Sequence, residues 1–151
     1  MKIFLVLFAL TTNLVFVDQL TKRIAEVFWK KAPAFPVIPG VFNLTYVENR
    51  GCAWGMFQGQ VWPLAVFGLL ALTLLIWKRK SVFDIPFSEP LLYAGIIGNL
   101  IDRIFRGYVI DMLDFHIGVH HFPCFNFADS CITTAVGLVL LSSLIHKEKK
   151  S

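Results

Sequence analysis

Four stretches of this 151-residue chain are apolar over nearly the length needed to cross a bilayer, and they constrain the fold more than any other feature. A spanning helix takes ~20 mostly apolar residues, because it must satisfy its backbone hydrogen bonds inside hydrocarbon. The stretches are Ile3 to Leu20, Met56 to Trp77, Ile85 to Phe105 and Phe125 to Ile145. A hydrophobic content of 56% and a mean hydropathy of +0.67 exceed those of ordinary soluble domains, and the excess is clustered in these segments. The third is the weakest, with Glu89, Pro86 and Pro90 ahead of a clean apolar run that starts at Leu91. The first follows Lys2 and could be a secretory signal. It ends in Asp18-Gln19 without a small-x-small cleavage pattern, so an uncleaved span is the better reading. The expected fold class is an all-α integral membrane protein with four transmembrane helices, residues 1–151 forming one domain.

Four spans would put both termini on one side and the loops Leu20 to Gly55 and Arg106 to Cys124 together on the other. Asp18 and Lys22, Asn49, Asp102 and Asp111, and Asp129 then gather at one membrane face. Which face is not decided by counting cations. Lys2, Lys78, Arg79, Lys80, Lys147, Lys149 and Lys150 lie on the terminal side, and Lys22, Arg23, Lys30, Lys31, Arg50, Arg103 and Arg106 opposite, seven each. The terminal-side charges are denser, which weakly favours that side as cytoplasmic. In the first loop, Val41 to Glu48 alternates after a Pro39-Gly40 turn and reads as a strand of a small sheet on the membrane surface. Ala25 to Lys31 reads as interfacial, with Trp29 as its anchor.

Gly98 to Phe115 (GNLIDRIFRGYVIDMLDF) carries the densest polar chemistry beside apolar sequence. Ionisable groups at membrane depth are costly and usually functional. Asn99, Asp102 and Arg106 share one face of a helix, with Arg103 beside Asp102. The helical pattern stops at Gly107, so Val109 to Phe115 is a short extended or loop segment carrying Asp111 back over the helix ends. Asn126 and Asp129 open the last span as an Asn/Asp variant of the capping box, a role compatible with catalysis. Two neighbouring carboxylates in a poorly solvated place hold one proton between them near neutral pH, and such a pair can activate water against a carbonyl.

Other readings are weaker. A metal-dependent membrane hydrolase could use His116, His120, His121 and Asp114 or Cys124, but Gly118 and Pro123 argue against a helix that would bring the histidines together. A non-enzymatic carrier or channel would spread its acids through the membrane depth, and these gather at one face. Cys52, Cys124 and Cys131 are an odd set without CxxC spacing, so no disulfide framework is expected, although Cys52 and Cys124 could pair on an oxidising face. The net charge of +4 suits an anionic membrane, and no nucleic-acid motif accompanies it.

Over nearly the whole chain these motifs resemble the lipoprotein signal peptidase, or signal peptidase II, family. The likeness rests on DQLTK (Asp18 to Lys22), NRGCAWG (Asn49 to Gly55), GNLIDR with GYVIDMLDF, and FNFADS (Phe125 to Ser130), all in the family's order. Cys52 and Met112 depart from the family's usual alanine and phenylalanine. The resemblance implies a membrane aspartic endopeptidase with a small extracytoplasmic β-sheet, in the bacterial inner membrane with both termini cytoplasmic and the site facing the periplasm. It implies cleavage of diacylglyceryl-modified prolipoproteins just before the lipidated cysteine, with no metal or other cofactor. Asp111 and Asp129 fall on the catalytic dyad. Asn49, Gly51, Asn99, Asp102, Arg103 and Asn126 fall on residues that position substrate or support the dyad, and Asp18 and Lys22 on the first-helix motif. The expected partners are lipid-modified prolipoprotein and membrane lipid, no nucleic acid, the chain acting as a monomer.

Overall fold

A computed structural model describes residues 2–83, 85 and 87–148. Pro86 of the third apolar segment and Lys149 and Lys150 of the basic tail lie outside them. The elements, in order, are α1 (Lys2–Trp29), β1 (Phe35–Ile38), β2 (Phe42–Asn49), a 3-10 turn (Ala53–Gly55), α2 (Val61–Trp77), a single turn α3 (Arg79–Val82), α4 (Ser88–Phe105), β3 (Val109–Ile117), β4 (His120–His121) and α5 (Phe127–Glu148). Helix forms the majority, with one small antiparallel sheet in the order β1-β2-β3-β4.

The helices are inside out by the standards of a water-soluble core. In α1 the buried residues are Asp18, Lys22 and Ala25, while Phe4, Phe8, Phe16 and Phe28 point outward. That distribution suits a hydrocarbon surround, where outward apolar groups are at home and polar groups must find partners inside. Among the described residues, Lys2–Trp29 and Phe127–Ile145 are long and apolar enough to cross a membrane. α2 is apolar but shorter at 17 residues. α4 buries Glu89, Asn99 and Asp102 together with small residues, so its role is to join the other helices.

Besides α4, which starts at Ser88 and not Ile85, two helix boundaries and one strand differ from the expectation. α1 runs to Trp29 and absorbs the Ala25 to Trp29 segment read as interfacial, because Ala25 packs on Ile110 and Met112 and gives the helix end a partner. α2 starts at Val61, not Met56. The residues before it are turn, with Phe57 and Gly59 at positive φ, which no helix accommodates. β1 has no signal in the sequence, because Pro33, Pro36 and Pro39 interrupt any alternation; as an edge strand it tolerates proline.

Close approach of α4 to α1 and α5 frames the site. At Gly98 a Cβ would stand 2.5 Å from Asp18 Oδ2 and 3.3 Å from the Ala128 side chain, so only glycine lets these three helices meet there. The chain turns at Gly107, with Asp102 O accepting from the N–H of Arg106 and of Gly107, and enters β3. On β3, Ile110 and Met112 pack against α1 with Trp29, Tyr46 and Tyr108, so Asp111 between them faces the opposite way.

Candidate active site

Asp111 sits on β3 opposite Val47 of β2, and Asp129 on the first turn of α5. They belong to one hydrogen-bonded cluster. Asn49 Nδ2 donates to Asp111 Oδ2 at 2.9 Å and Asn126 Nδ2 to Asp111 Oδ1 at 2.7 Å. Asn99 Nδ2 donates to Asp129 Oδ1 at 2.7 Å. Asn126 N donates to Asp129 Oδ2 at 3.2 Å while Asp129 N donates to Asn126 Oδ1 at 2.9 Å. That reciprocal pair is the capping box expected from the sequence, and it holds Asn126 so that its amide reaches Asp111.

Behind the amides lies a buried ionic cluster. Lys22 Nζ donates to Asn99 Oδ1 at 3.0 Å and stands 2.9 Å from both Asp18 Oδ2 and Asp102 Oδ2. An ammonium only donates, so Lys22 obliges Asn99 to present its oxygen inward and its NH₂ to Asp129. Asp102 also pairs with Arg106 and accepts from Ile110 N at 3.2 Å, tying α4 to β3 beside Asp111. Asp18 Oδ1 accepts from Ala128 N at 3.0 Å at the head of α5. Two cations and two carboxylates with these added hydrogen bonds form a set in which no charge is buried alone.

Gly51 and Arg103 form the rim. A Cβ on Gly51 would stand 2.4 Å from Met56 O, so the tight backbone here requires glycine. Its N–H donates to Asn49 Oδ1 at 2.9 Å, which turns the other end of that amide toward Asp111, and its carbonyl accepts from Arg103 Nη2 at 3.1 Å. Every residue named for the site from the sequence thus lies in one connected constellation. Gln19 and Arg106 belong to it too, Arg106 Nη1 donating to Gln19 Oε1 at 2.8 Å and Gln19 Nε2 to Asp102 Oδ1 at 3.2 Å. Gln19 could have been found beside Asp18 in the same motif, and Arg106 from its spacing to Asp102.

Two cavities meet at the carboxylates. One of about 490 Å³ is lined by Asn49, Asp111, Asp129, Cys124 and Thr133 among others. The other, about 910 Å³, runs between α2 and α4 along Phe67, Gly68, Ala71, Leu92, Ile96 and Leu100. Cys52, Asn99, Arg103, Asp129 and Ile132 line both, so an apolar groove opens onto a polar centre. Burial, and after it the charge of Asp129, pushes the Asp111 carboxyl up to about 7, against the lowering effect of the Asn49 and Asn126 amides.

The alternative residues fall elsewhere. His121 Nδ1 donates to Asp114 Oδ1 at 2.7 Å, His116 stacks on His121 at 4.7 Å, and His120 is exposed. Among the described residues no group of three or more His, Cys, Asp or Glu is placed to hold a metal ion. Cys52, Cys124 and Cys131 are free thiols.

The sequence model of signal peptidase (SPase) II matches residues 10–145, which contain the whole constellation. The chain belongs to the signal peptidase II family. A lipoprotein signal peptidase of Syntrophus aciditrophicus is 42% identical, with 99% of each chain covered, and one of Fusobacterium nucleatum subsp. nucleatum is 41% identical over 91% of this chain and 85% of its own. Two solved structures, each described as a bacterial membrane enzyme obtained by the in meso method, share the fold. One has a TM-score of 0.87 at 32% identity, covering 97% of this chain and 92% of the other. The second has a TM-score of 0.77 at 33% identity, with 92% of each covered. Signal peptidase II is an aspartic-type membrane peptidase, and this chain is one of that family.

Proposed function

We propose that this protein removes the signal peptide of diacylglyceryl-modified prolipoproteins, cleaving just before the lipidated cysteine, with Asp111 and Asp129 as its catalytic pair. The observation that carries this reading is the bridging of the two carboxylates by Asn126, whose side-chain amide donates to Asp111 Oδ1 and whose backbone N–H donates to Asp129 Oδ2. Of the two carboxyls one is protonated and the other ionised. The ionised one takes a proton from water as its oxygen adds to the scissile carbonyl carbon, and the protonated one donates to the carbonyl oxygen. Collapse breaks the C–N bond, the amine of the lipidated cysteine takes a proton from the pair, and the pair returns to one proton.

In this reading Asn49, Asn99 and Asn126 hold the carboxylates, Lys22, Asp18 and Asp102 hold the amides, and Arg103 with Gly51 borders the substrate path. The apolar groove between α2 and α4 suits acyl chains that never leave the bilayer. The 151 residues act as one membrane-embedded domain in which α1, α2, α4 and α5 all cross, both termini are cytoplasmic, and the sheet and dyad face the periplasm of a bacterial inner membrane. A single copy is sufficient, and no metal enters the reaction. The test is incubation of the purified protein in detergent with a diacylglyceryl-modified prolipoprotein. Mass spectrometry should find an intact signal peptide ending just before the lipidated cysteine; an uncleaved substrate, or a cut elsewhere, would overturn the assignment.

A further inference from the structure

A third cavity, of about 690 Å³, continues from Asp111 over the sheet and takes no lining residue from the four long helices. Its polar wall, beyond Asn49 and Asp111, is Thr45, Gln58, Asp114 and His121, and neither lysine nor arginine lines it; Glu48 borders it too, but its carboxylate accepts from the Tyr46 hydroxyl at 3.2 Å and pairs with Lys30 and Arg50. Asp114 reaches this cavity through an irregularity. Strict alternation along β3 would turn it away from Asp111, three residues earlier. The N–H groups of Met112 (3.0 Å) and Leu113 (2.9 Å) both donate to Phe125 O, the mark of a β-bulge. One extra residue there returns Asp114 to the side of Asp111. Asn43 Nδ2 donates to Asp114 Oδ2 at 2.9 Å and His121 Nδ1 to Oδ1 at 2.7 Å, so the carboxylate is held in place and the His121 ring is oriented by it. Burial works to raise Asp114, but the bonds from His121 and Asn43 bring its carboxyl below the usual range.

A prolipoprotein enters the apolar groove with its signal peptide and acyl chains, and its mature segment has to leave the scissile bond toward water. We propose that the cavity bounded by Thr45, Asp114 and His121 binds the residues following the lipidated cysteine, and that Asp114, held in place by Asn43 and His121, selects there against acidic side chains through its negative charge. This rests on the signal peptidase reading. An Asp or Glu brought into the cavity meets the Asp114 carboxylate beyond the dyad, whereas Ser, Asn or Lys can donate to it.

The test uses full-length protein and diacylglyceryl-modified prolipoproteins differing only at the second to fourth residues after the lipidated cysteine, set to Ser, Lys or Asp. The Asp series should show kcat/KM about tenfold below the Ser series, carried mainly by KM and shrinking at high salt. Asp114→Asn keeps the side chain's shape and should reduce the ratio to about threefold or less, whereas His121→Gln, which leaves the Asp114 charge in place, should keep it at about tenfold or above. Because each ratio is taken within one variant, partial loss of folded protein cancels. Equal kcat/KM across the series, or a ratio in Asp114→Asn as large as in the native protein, would overturn the proposal while leaving the peptidase reading intact; no cleavage of any substrate would remove both.

Discussion

At the scale of single residues, the decisive feature is that each carboxylate of the pair accepts from two different donors, while the amides supplying them are themselves held. Asp111→Asn and Asp129→Asn should each lower the cleavage rate by at least about 1,000-fold, and the double variant should be little worse than either, since residues acting as a unit are not additive. Substrate affinity should change little. Additive losses, or near-normal rates in one single variant, would mean that the two do not share the chemistry. The raised Asp111 carboxyl has two consequences. Activity should be bell-shaped in pH, with its alkaline limb near the value of about 7 where the pair loses its shared proton. For stability the sign is opposite to that of a salt-bridged aspartate. Native Asp111 binds a proton more tightly than it does unfolded, so this residue's contribution is full below the ordinary value of 3.8 and is lost as pH rises through about 7. The drop in melting temperature between pH 5 and pH 8 should therefore be smaller in Asp111→Asn than in the native protein, and an equal drop would deny that burial shifts this group.

At the scale of elements, the site depends on how the head of α5 and the middle of α4 are brought to β3. Asn126 does two jobs at once, capping α5 through its oxygen and serving Asp111 through its NH₂. Serine caps helices as well as asparagine but lacks the amide donors. Asn126→Ser should thus keep more of the thermal stability than Asn126→Ala, while both lose roughly 100-fold in rate, the scale of one removed donor in an active site. Equal stability in the two variants would detach the cap from the site. Gly98→Ala sets a methyl against Asp18 where α1, α4 and α5 meet, and should destabilise by about 1–3 kcal/mol as overpacking does. A melting temperature unchanged from the native protein would show that these helices are not in the contact described.

At the scale of the whole molecule, polar groups converge inside a shell of outward-facing phenylalanine, leucine and valine, the reverse of a soluble enzyme. A membrane-embedded dyad needs no metal, so dialysis against EDTA or phenanthroline should leave the cleavage rate within about twofold of the untreated protein, carboxylates alone sufficing for this acid/base work. Abolition by chelator and recovery with zinc would shift attention to His116, His120 and His121. Tags on both termini should be protected together in intact cells, while Lys31→Cys, in a chain whose Cys52 and Cys124 are replaced by Ser, should react with a membrane-impermeant thiol reagent from outside; exposed tags or an unreactive Lys31→Cys would reverse the orientation.

The hydrophobic segments, the chemistry-bearing motifs and the capping box were legible in the chain because each depends on near neighbours: length for a span, spacing for a helix face, Asn126 and Asp129 for a helix start. Even the end of α4 just before Gly107 and the β2 strand come from local pattern. Long-range geometry was not legible. Nothing in Asp18, Lys22, Asn99 and Asp102 as isolated motifs says that one ammonium bonds three of them and so sets the amide that faces Asp129. β1 was hidden by its prolines, and α2 was drawn too long because Phe57 is apolar yet sits at positive φ, a backbone state that hydropathy cannot report. The bulge at Met112 and Leu113 is the clearest case. By alternation Asp114 belongs on the face away from Asp111, and only pairing with Phe125, a residue ten or more positions away, adds the extra residue that returns it to the same cavity.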